Sequence, residues 1–266
     1  MRKINIFLLG GTKDSTNIIS HIKDNYDSYI LTTTTTEYGA KLASERGSDE
    51  TIARPLPKDE IISILNANEF DIIIDATHPF ASHITQTSVS VANELKMPYI
   101  RFERPTTNLK NIDTSRIHYV NSFDDAGKLI ESEFDKGNIL HFAGANTMED
   151  ILKYVSSERF YPRILKVESS LEKCRQLNVD PDHIIEMTGA ATKEENLDLI
   201  EKYDASVMIT KESGEIGGVI EKIEAANEKD IAVIMIQRPK IEMLNKNDVV
   251  NDLNELDSKI KSFLKK

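Results

Sequence analysis

INIFLLGGTKDS, residues 4–15, changes character at its two glycines. The apolar run before them is typical of a buried strand, and a helical pattern follows them. Glycine lets a backbone approach a phosphate closely, and the N-terminus of a helix favours negative charge. The stretch therefore predicts a strand–turn–helix unit that binds a nucleotide through Gly10, Gly11, Thr12 and Ser15. Ser15 stands where the G-x-G-x-x-G fingerprint has its third glycine, so a turn without a ligand is the alternative.

The same strand–helix alternation continues along all 266 residues. It predicts βαβ units, mainly parallel sheets and an α/β fold class. The predicted strands are 4–10, 29–35, 71–76, 98–103, 117–120, 138–143, 161–167, 183–187, 205–210 and 231–236. The predicted helices are 14–24, 37–46, 58–67, 80–96, 123–135, 147–156, 193–203, 218–228 and 252–265.

A polar stretch without periodicity, residues 104–116, interrupts this alternation. It predicts two α/β domains, residues 1–105 and 117–266, joined by a linker at 106–116. Ligands favour clefts between domains, so we expect a cleft there.

Composition excludes several classes of function. The formal net charge is −11, which disfavours a nucleic-acid binder held by phosphate contacts. Cys174 is the single cysteine, so the chain forms no internal disulfide and no cysteine-rich metal site. No apolar stretch approaches the roughly 20 residues that cross a bilayer. No metal-binding set, phosphate-binding G-K-[ST] loop or nucleophile elbow emerges from residue spacing. We expect a cytoplasmic protein that does not bind membranes.

DIIIDATHPFA, residues 71–81, is elaborate for a strand end. Ligands of parallel α/β sheets bind beyond the carboxyl ends of the strands. Thr77 and His78 therefore become candidates for a ligand site, and Pro79 is expected in the first turn of the next helix. A lone histidine is more often a local hydrogen-bonding residue, which is the alternative.

LTTTTTEYG, residues 31–39, has threonines where NAD enzymes place an acidic residue that binds the ribose. Thr34 and Thr35 accommodate a 2′-phosphate better than a carboxylate does, and Glu37 follows only later. The pattern favours NADPH. Threonines that merely suit a pleated strand are the alternative.

Arg-Pro pairs follow two predicted strands, in RFERP (101–105) and QRP (237–239). Arginine binds carboxylates in bidentate geometry, so Arg101, Arg104 and Arg238 are candidate ligands for an acidic substrate. Solvated surface arginines are the alternative.

MITKESGEIGG, residues 208–218, predicts a second anion-binding turn at a strand end. Lys211, Ser213 and Gly214 are its candidate cofactor ligands. A glycine-rich helix start with a solvated lysine is the alternative.

Five motifs follow one another along the chain: LLGGTKDS, IIIDATHPFA, RFERP, ITKESGEIGG and a later RP. In these motifs and in their order, the sequence resembles the precorrin-6A reductase family of cobalamin biosynthesis. TEYGAKL (36–42) resembles the branch that acts on the cobalt-containing intermediate. HFAGANTMED (141–150) departs from a Thr-Gly-Arg stretch of many relatives, so no arginine role is carried over there.

The resemblance implies two Rossmann-like domains with a cleft between them. It implies an NADPH-dependent oxidoreductase of the CH–CH class, which reduces one double bond of cobalt-precorrin-6A to give cobalt-precorrin-6B. The implied substrate is a tetrapyrrole ring that carries acetate and propionate groups. We expect His78 to orient the nicotinamide or to supply a proton, and a proton supplied by water is the alternative. Metal-free precorrin-6A as substrate, or a noncatalytic protein that binds a nucleotide or tetrapyrrole, are the alternatives.

Overall fold

A computed structural model describes residues 3–264, which contain twelve strands and ten α-helices. The strands are β1 (Ile4–Leu9), β2 (Ser28–Thr34), β3 (Glu50–Ala53), β4 (Ile72–Asp75), β5 (Tyr99–Phe102), β6 (Ile117–Val120), β7 (Asn138–His141), β8 (Phe160–Ile164), β9 (Ile185–Glu186), β10 (Ala205–Lys211), β11 (Ala232–Ile236) and β12 (Val249–Val250). The helices are α1 (Lys13–Asn25), α2 (Glu37–Glu45), α3 (Lys58–Ala67), α4 (Ser82–Leu95), α5 (Phe123–Glu133), α6 (Met148–Leu152), α7 (Glu168–Gln176), α8 (Lys193–Lys202), α9 (Val219–Glu228) and α10 (Leu253–Leu264).

The chain forms two α/β units. The first contains the residues up to Pro105 and those from Lys240 onward, and the second is Thr106–Pro239. Each unit has one six-stranded sheet, and all strand pairs in both sheets are parallel. The α/β fold class with parallel sheets is therefore confirmed.

Alternating side chains of β1 show how the first sheet is covered on both faces. Ile6 and Leu8 pack in one apolar cluster with residues of α1 and α10, such as Ile18 and Leu256. Phe7 and Leu9 point to the opposite face of the sheet, into a cluster with residues of α3 and α4. Burial on both faces explains why the strands lack a polar alternation in sequence.

Both sheets have the same strand order. Read from one edge, the first is β3-β2-β1-β4-β5-β12 and the second is β9-β8-β7-β10-β11-β6. Each matches the 3-2-1-4-5-6 order of dinucleotide-binding sheets, with a sixth strand from a separate part of the chain. The order reverses between β1 and β4 and between β7 and β10. The crevice for a ligand is expected at these two switch points.

The prediction that residues 117–266 form the second domain is wrong at its C-terminal end, because residues from Lys240 onward belong to the first unit. Val249 and Val250 of β12 pair with Arg101 and Phe102 of β5, and Leu256 of α10 is fully buried in the first unit. Residues 106–116, predicted as a linker, belong to the second unit. The sequence pattern missed β12 because a two-residue edge strand has almost no periodicity.

Two helices of the second unit begin at capping side chains. The Ser122 and Thr192 hydroxyls accept hydrogen bonds from the backbone N–H of Asp125 and Glu195. Pro79 does not lie in a first turn, because α4 begins only at Ser82. Helix α7, β3 and β12 were not predicted. Within residues 3–264, no helix has both the length and the apolar character needed to span a membrane.

Candidate functional site

A pocket of about 690 Å³ opens at the switch point of the first unit. The ends of β1, β2 and β4 form its walls, together with the segment before α3 and the start of α4. The predicted site residues that line it are Gly10, Gly11, Thr12, Thr34, Thr35, Thr77 and His78. The fold thus brings together residues that are up to 68 positions apart in sequence, counted from Gly10 to His78.

A side chain in the glycine turn after β1 would meet a close contact at Gly10 and a strained backbone at Gly11. A Cβ at Gly10 would lie 2.9 Å from the Cγ2 atom of Thr32 and 3.2 Å from the hydroxyl of Ser15. Gly11 has a φ of +92°, a left-handed conformation that costs other residues energy. The turn leads directly into α1, whose first backbone N–H groups have no partner within the helix. The arrangement suits an anionic group close to the backbone.

Thr12 and Ser15, both predicted as ligand donors, use their hydroxyls to build this turn. The Ser15 hydroxyl accepts from the Thr12 N–H at 3.1 Å and donates to the Thr12 carbonyl at 2.7 Å. The Thr12 hydroxyl accepts from the Ser15 N–H and donates to the Ala76 carbonyl at 2.7 Å. Ser15 is buried and does not line this pocket, but it lines the neighbouring second pocket described below.

A buried carboxylate fixes the loop after β4. Asp75 accepts hydrogen bonds from the backbone N–H of Thr77 at 2.9 Å and from the Thr77 hydroxyl at 2.7 Å. Its other oxygen accepts from the Tyr99 hydroxyl at 2.9 Å. Burial, reinforced by the neighbouring Asp75, raises the pKa of Tyr99 well above its ordinary value, so the phenol stays a neutral donor.

Arg101 completes this cluster and is not a substrate ligand in the structure. Its side chain is 2% exposed, and its guanidinium donates to Asp75 at 2.6 Å and to the Thr77 hydroxyl at 2.9 Å. The predicted carboxylate contact is therefore made to a carboxylate of the protein. The reason is register, because Arg101 lies directly beside Asp75 in the sheet.

His78 reaches the pocket from this loop. The backbone N–H of Phe80 donates to its Nδ1 atom at 3.2 Å, so a neutral ring carries its proton on Nε2. The Phe80 ring lies beside it, with ring centroids 5.9 Å apart. A ring held in this tautomer has one defined hydrogen-bond donor.

Arg104, predicted to bind substrate, forms an ion pair with Asp14 in the first turn of α1, with 2.5 Å between Nη2 and Oδ2. Asp14 would otherwise place a negative charge beside the glycine turn. Arg104 therefore offsets a charge that would repel an anionic ligand.

Thr34, the last residue of β2, and Thr35 after it both line the pocket but differ in exposure. Thr34 is buried, and its hydroxyl donates to the Thr36 carbonyl at 2.9 Å. Thr35 is exposed and lines the pocket. The polar residues that line the pocket and were not predicted are Thr33, Arg54, Ser82 and His83. Arg54 begins a third Arg-Pro pair in the sequence, and it follows β3, a strand that the sequence pattern did not predict.

A second pocket, of about 410 Å³, shares Gly11 and Thr12 with the first. Its cationic side chains are Lys13 and Arg46, and the exposed ring of Tyr38 also lines it. It lies between the starts of α1 and α2, beyond the ends of β1 and β2. An anion at this place would meet two positive charges and an aromatic surface.

The remaining predicted residues lie in the second unit. Lys211 ends β10, and Ser213 and Gly214 follow it at the corresponding switch point. Arg238 pairs with Glu212, and its Nε–H also donates to the Glu212 carbonyl at 3.3 Å. Glu212 in turn accepts from the backbone N–H of Thr107 at 2.9 Å. Among residues 3–264, no group of three acidic, histidine or cysteine side chains is arranged to hold a metal ion.

Replacing Arg101 by leucine should destabilise the first unit by about 3–5 kcal/mol, because it leaves the Asp75 charge buried without compensation. Adding Asp75→Asn to Arg101→Leu should restore part of the loss, since a neutral amide needs no counter-ion. Urea unfolding measures both. Arg116→Leu, which breaks an exposed pair with Asp230, is the control and should cost at most about 1 kcal/mol. Equal costs at Arg101 and Arg116 would contradict the role of the buried pair.

The chain is 37% identical to the cobalt-precorrin-6A reductase of Methanothermobacter thermautotrophicus over 264 residues, which cover 99% of this chain and 85% of that protein. It is 36% identical to the cobalt-precorrin-6A reductase of Methanocaldococcus jannaschii over 240 residues, covering 90% and 92%. It is 25% identical to the precorrin-6A reductase of Rhodococcus erythropolis over 186 residues, covering 69% of each chain.

A solved structure described as CobK precorrin-6A reductase has the same fold. Its TM-score is 0.74 at 16% sequence identity, and the match covers 98% of this chain and 97% of that one. The family model described as precorrin-6x reductase CbiJ/CobK matches residues 5–261. The chain therefore belongs to the precorrin-6x reductase CbiJ/CobK family.

Proposed function

We propose that the protein reduces cobalt-precorrin-6A to cobalt-precorrin-6B with NADPH, in cobalamin biosynthesis. The observation that carries the proposal is the first-unit pocket, which joins a glycine turn at a helix N-terminus to the polar loop of Thr77 and His78. Family membership supports a reductase, and the names of the relatives that are 36–37% identical support the cobalt-containing substrate.

The pocket fits a nicotinamide dinucleotide in shape and in chemistry. Its volume of about 690 Å³ lies within the range of small-molecule and cofactor sites. Gly10 and Gly11 leave room for the pyrophosphate against the backbone, and Arg104 neutralises Asp14 beside them. We assign the nicotinamide to the part of the pocket near His78.

The second pocket supports NADPH over NADH. In dinucleotide-binding sheets, the residues that follow the second strand contact the adenosine ribose. Lys13 and Arg46 would there bind the 2′-phosphate, and Tyr38 would pack against the adenine. Thr34 and Thr35 bring no carboxylate that would repel the phosphate.

NADPH, when bound, supplies the hydride that adds to one carbon of the double bond. The apolar side chains of Leu9, Leu56 and Phe80 line the pocket and exclude water from the reacting carbons. The Nε2–H of neutral His78 donates a hydrogen bond that holds the nicotinamide amide in place. To supply the proton for the neighbouring carbon, the ring would first take up a proton at Nδ1 and give up its contact with the Phe80 N–H, so that it returns to the neutral form after the transfer. The Asp75 cluster keeps the His78 loop in position while this occurs.

Turnover tests the proposed function. Under anaerobic conditions, the purified protein with NADPH should change the absorption spectrum of cobalt-precorrin-6A and consume one NADPH for each macrocycle reduced. Parallel reactions with metal-free precorrin-6A and with NADH measure the two preferences. An unchanged spectrum with every pair of substrate and cofactor would reject the assignment.

His78→Gln should lower kcat by about 100-fold or more if the ring supplies the proton, because general acids contribute roughly 10²–10⁴-fold. The Kd for NADPH, measured by nucleotide fluorescence, should change less than about threefold. His118→Gln, in an edge strand of the second unit, is the matched control. If the kcat of His78→Gln equals that of the control, His78 does not supply the proton in the chemical step.

Arg46→Ala should raise the KM for NADPH by about tenfold and leave the KM for NADH unchanged, because a hydrogen bond to a charged phosphate contributes about 1.5–3 kcal/mol. Steady-state kinetics with both nucleotides measure this. Lys41→Ala, which removes an exposed lysine of α2, the helix that ends just before Arg46, is the control. Equal losses with both nucleotides would show that Arg46 does not bind the 2′-phosphate.

A further inference from the structure

Arg54 brings a positive charge to the pocket of the first unit. It follows Ala53, the last residue of β3, which lies beside Thr34 of β2 in the sheet. Its side chain is 53% exposed, and the residue lines the pocket together with the three residues that follow it. Within residues 3–264, the pocket is lined by no aspartate or glutamate, and Arg54 is its one lysine or arginine.

Arg54 already holds a carboxylate in bidentate geometry. Its Nη1 donates to Oε2 of Glu60 at 2.7 Å, and its Nη2 donates to Oε1 of the same carboxylate. This hydrogen bonding lowers the pKa of Glu60, so the carboxylate is charged at neutral pH. A planar guanidinium matches two oxygens of a carboxylate or of a phosphate. Glu60 therefore occupies the place on Arg54 that an oxyanion of a ligand would take.

The pair of Arg54 and Glu60 can exchange partners at little cost. Both side chains reach solvent, Arg54 at 53% and Glu60 at 33%, and exposed ion pairs add little to stability. Glu60 also lies in the first turn of α3, where the helix dipole favours a negative charge. Its carboxylate therefore keeps a favourable position when Arg54 binds another partner.

The segment that joins the two residues fixes the backbone beside the pocket. Pro55 and Pro57 have restricted φ angles. Leu56, between them, is 8% exposed and packs in the apolar cluster that contains Ile61 of α3. An exchange of partners at Arg54 therefore requires rotation of its side chain and no rearrangement of the main chain. A ligand group that is positioned in advance loses less entropy on binding.

We propose that Arg54 is an exchangeable oxyanion ligand of the first-unit pocket, which releases Glu60 to bind a carboxylate or phosphate group of a bound molecule. The carboxylate source is an acetate or propionate of the macrocycle, and the phosphate source is the dinucleotide. The exchange stands on the geometry of Arg54 and Glu60 at the pocket. The naming of these two sources rests on the proposed function.

Calorimetric titration of the protein tests the exchange with two probes. Uroporphyrin, a ring with acetate and propionate groups, represents the carboxylates, and NADP⁺ represents the phosphates. Arg54→Met should weaken binding of at least one probe by about tenfold, because it removes a charged hydrogen-bond donor. The probe that loses affinity identifies the source of the oxyanion. Arg116→Met, which breaks an exposed pair with Asp230 in the second unit, is the control and should bind both probes like the wild type.

Glu60→Gln separates an exchange of partners from a general effect of charge. Because Glu60 competes with the ligand for Arg54, this variant should bind the same probe about two- to fivefold more tightly than the wild type. Impaired folding would not produce tighter binding. In the Arg54→Met background, Glu60→Gln should change the affinity by less than about 1.5-fold, since no guanidinium remains to be released.

The proposal is overturned if Arg54→Met binds both probes like the wild type, or if the wild type binds neither probe. It is also overturned if Glu60→Gln fails to tighten binding, or tightens it equally with and without Arg54. Failure of the proposed function is a separate result. Absence of turnover by the wild-type protein would reject the reductase assignment, whereas probe binding by the variants decides the role of Arg54 whatever the turnover.

Discussion

The loop after β4 is held from two sides, and the candidate site of the first unit depends on this. On one side, the Asp75 carboxylate accepts hydrogen bonds from Thr77, Tyr99 and Arg101, which ties the loop to β5. On the other side, the Ala76 carbonyl accepts from the Thr12 hydroxyl, which ties the loop to the glycine turn after β1. The two walls of the pocket are therefore one hydrogen-bonded assembly.

This assembly explains why charged residues, Asp75 and Arg101, occur in two strands that are otherwise apolar. Asp75 and Arg101 pair directly across neighbouring strands, where a charge alone would be costly to bury. The pair allows the sheet to end in a polar loop without exposing the core. The Thr77 hydroxyl donates to Asp75 and accepts from Arg101 within this cluster. The loop holds His78 in one tautomer, because the Phe80 N–H donates to its Nδ1 atom.

Much of this fold could be predicted from sequence, since apolar strands, glycine turns and N-cap spacing are local signals. The glycine turn of Gly10 and Gly11 and the polar loop of Thr77 and His78 meet in one pocket, as the carboxyl-end rule indicates. The role of Arg101 was misjudged, because a side chain that faces a ligand and one that faces a buried carboxylate look alike in sequence. Its place inside a predicted buried strand was the available clue. Edge strands such as β12 escaped notice because pairing on one side needs little apolar sequence.

The two units share a strand order but differ at their switch points. In the first, the glycine turn of Gly10 and Gly11 follows β1 and leads into α1. In the second, the loop after β7 runs through Gly144, and β10 ends at Lys211 before Gly214.

The crystal structure of the protein with NADP⁺ is the most direct test of the central claim, that the first unit holds the cofactor. The account predicts the pyrophosphate against Gly10 and Gly11, the 2′-phosphate near Arg46 and the nicotinamide beside His78. A dinucleotide bound instead at the switch point of the second unit, with the glycine turn of the first unit empty, would contradict it.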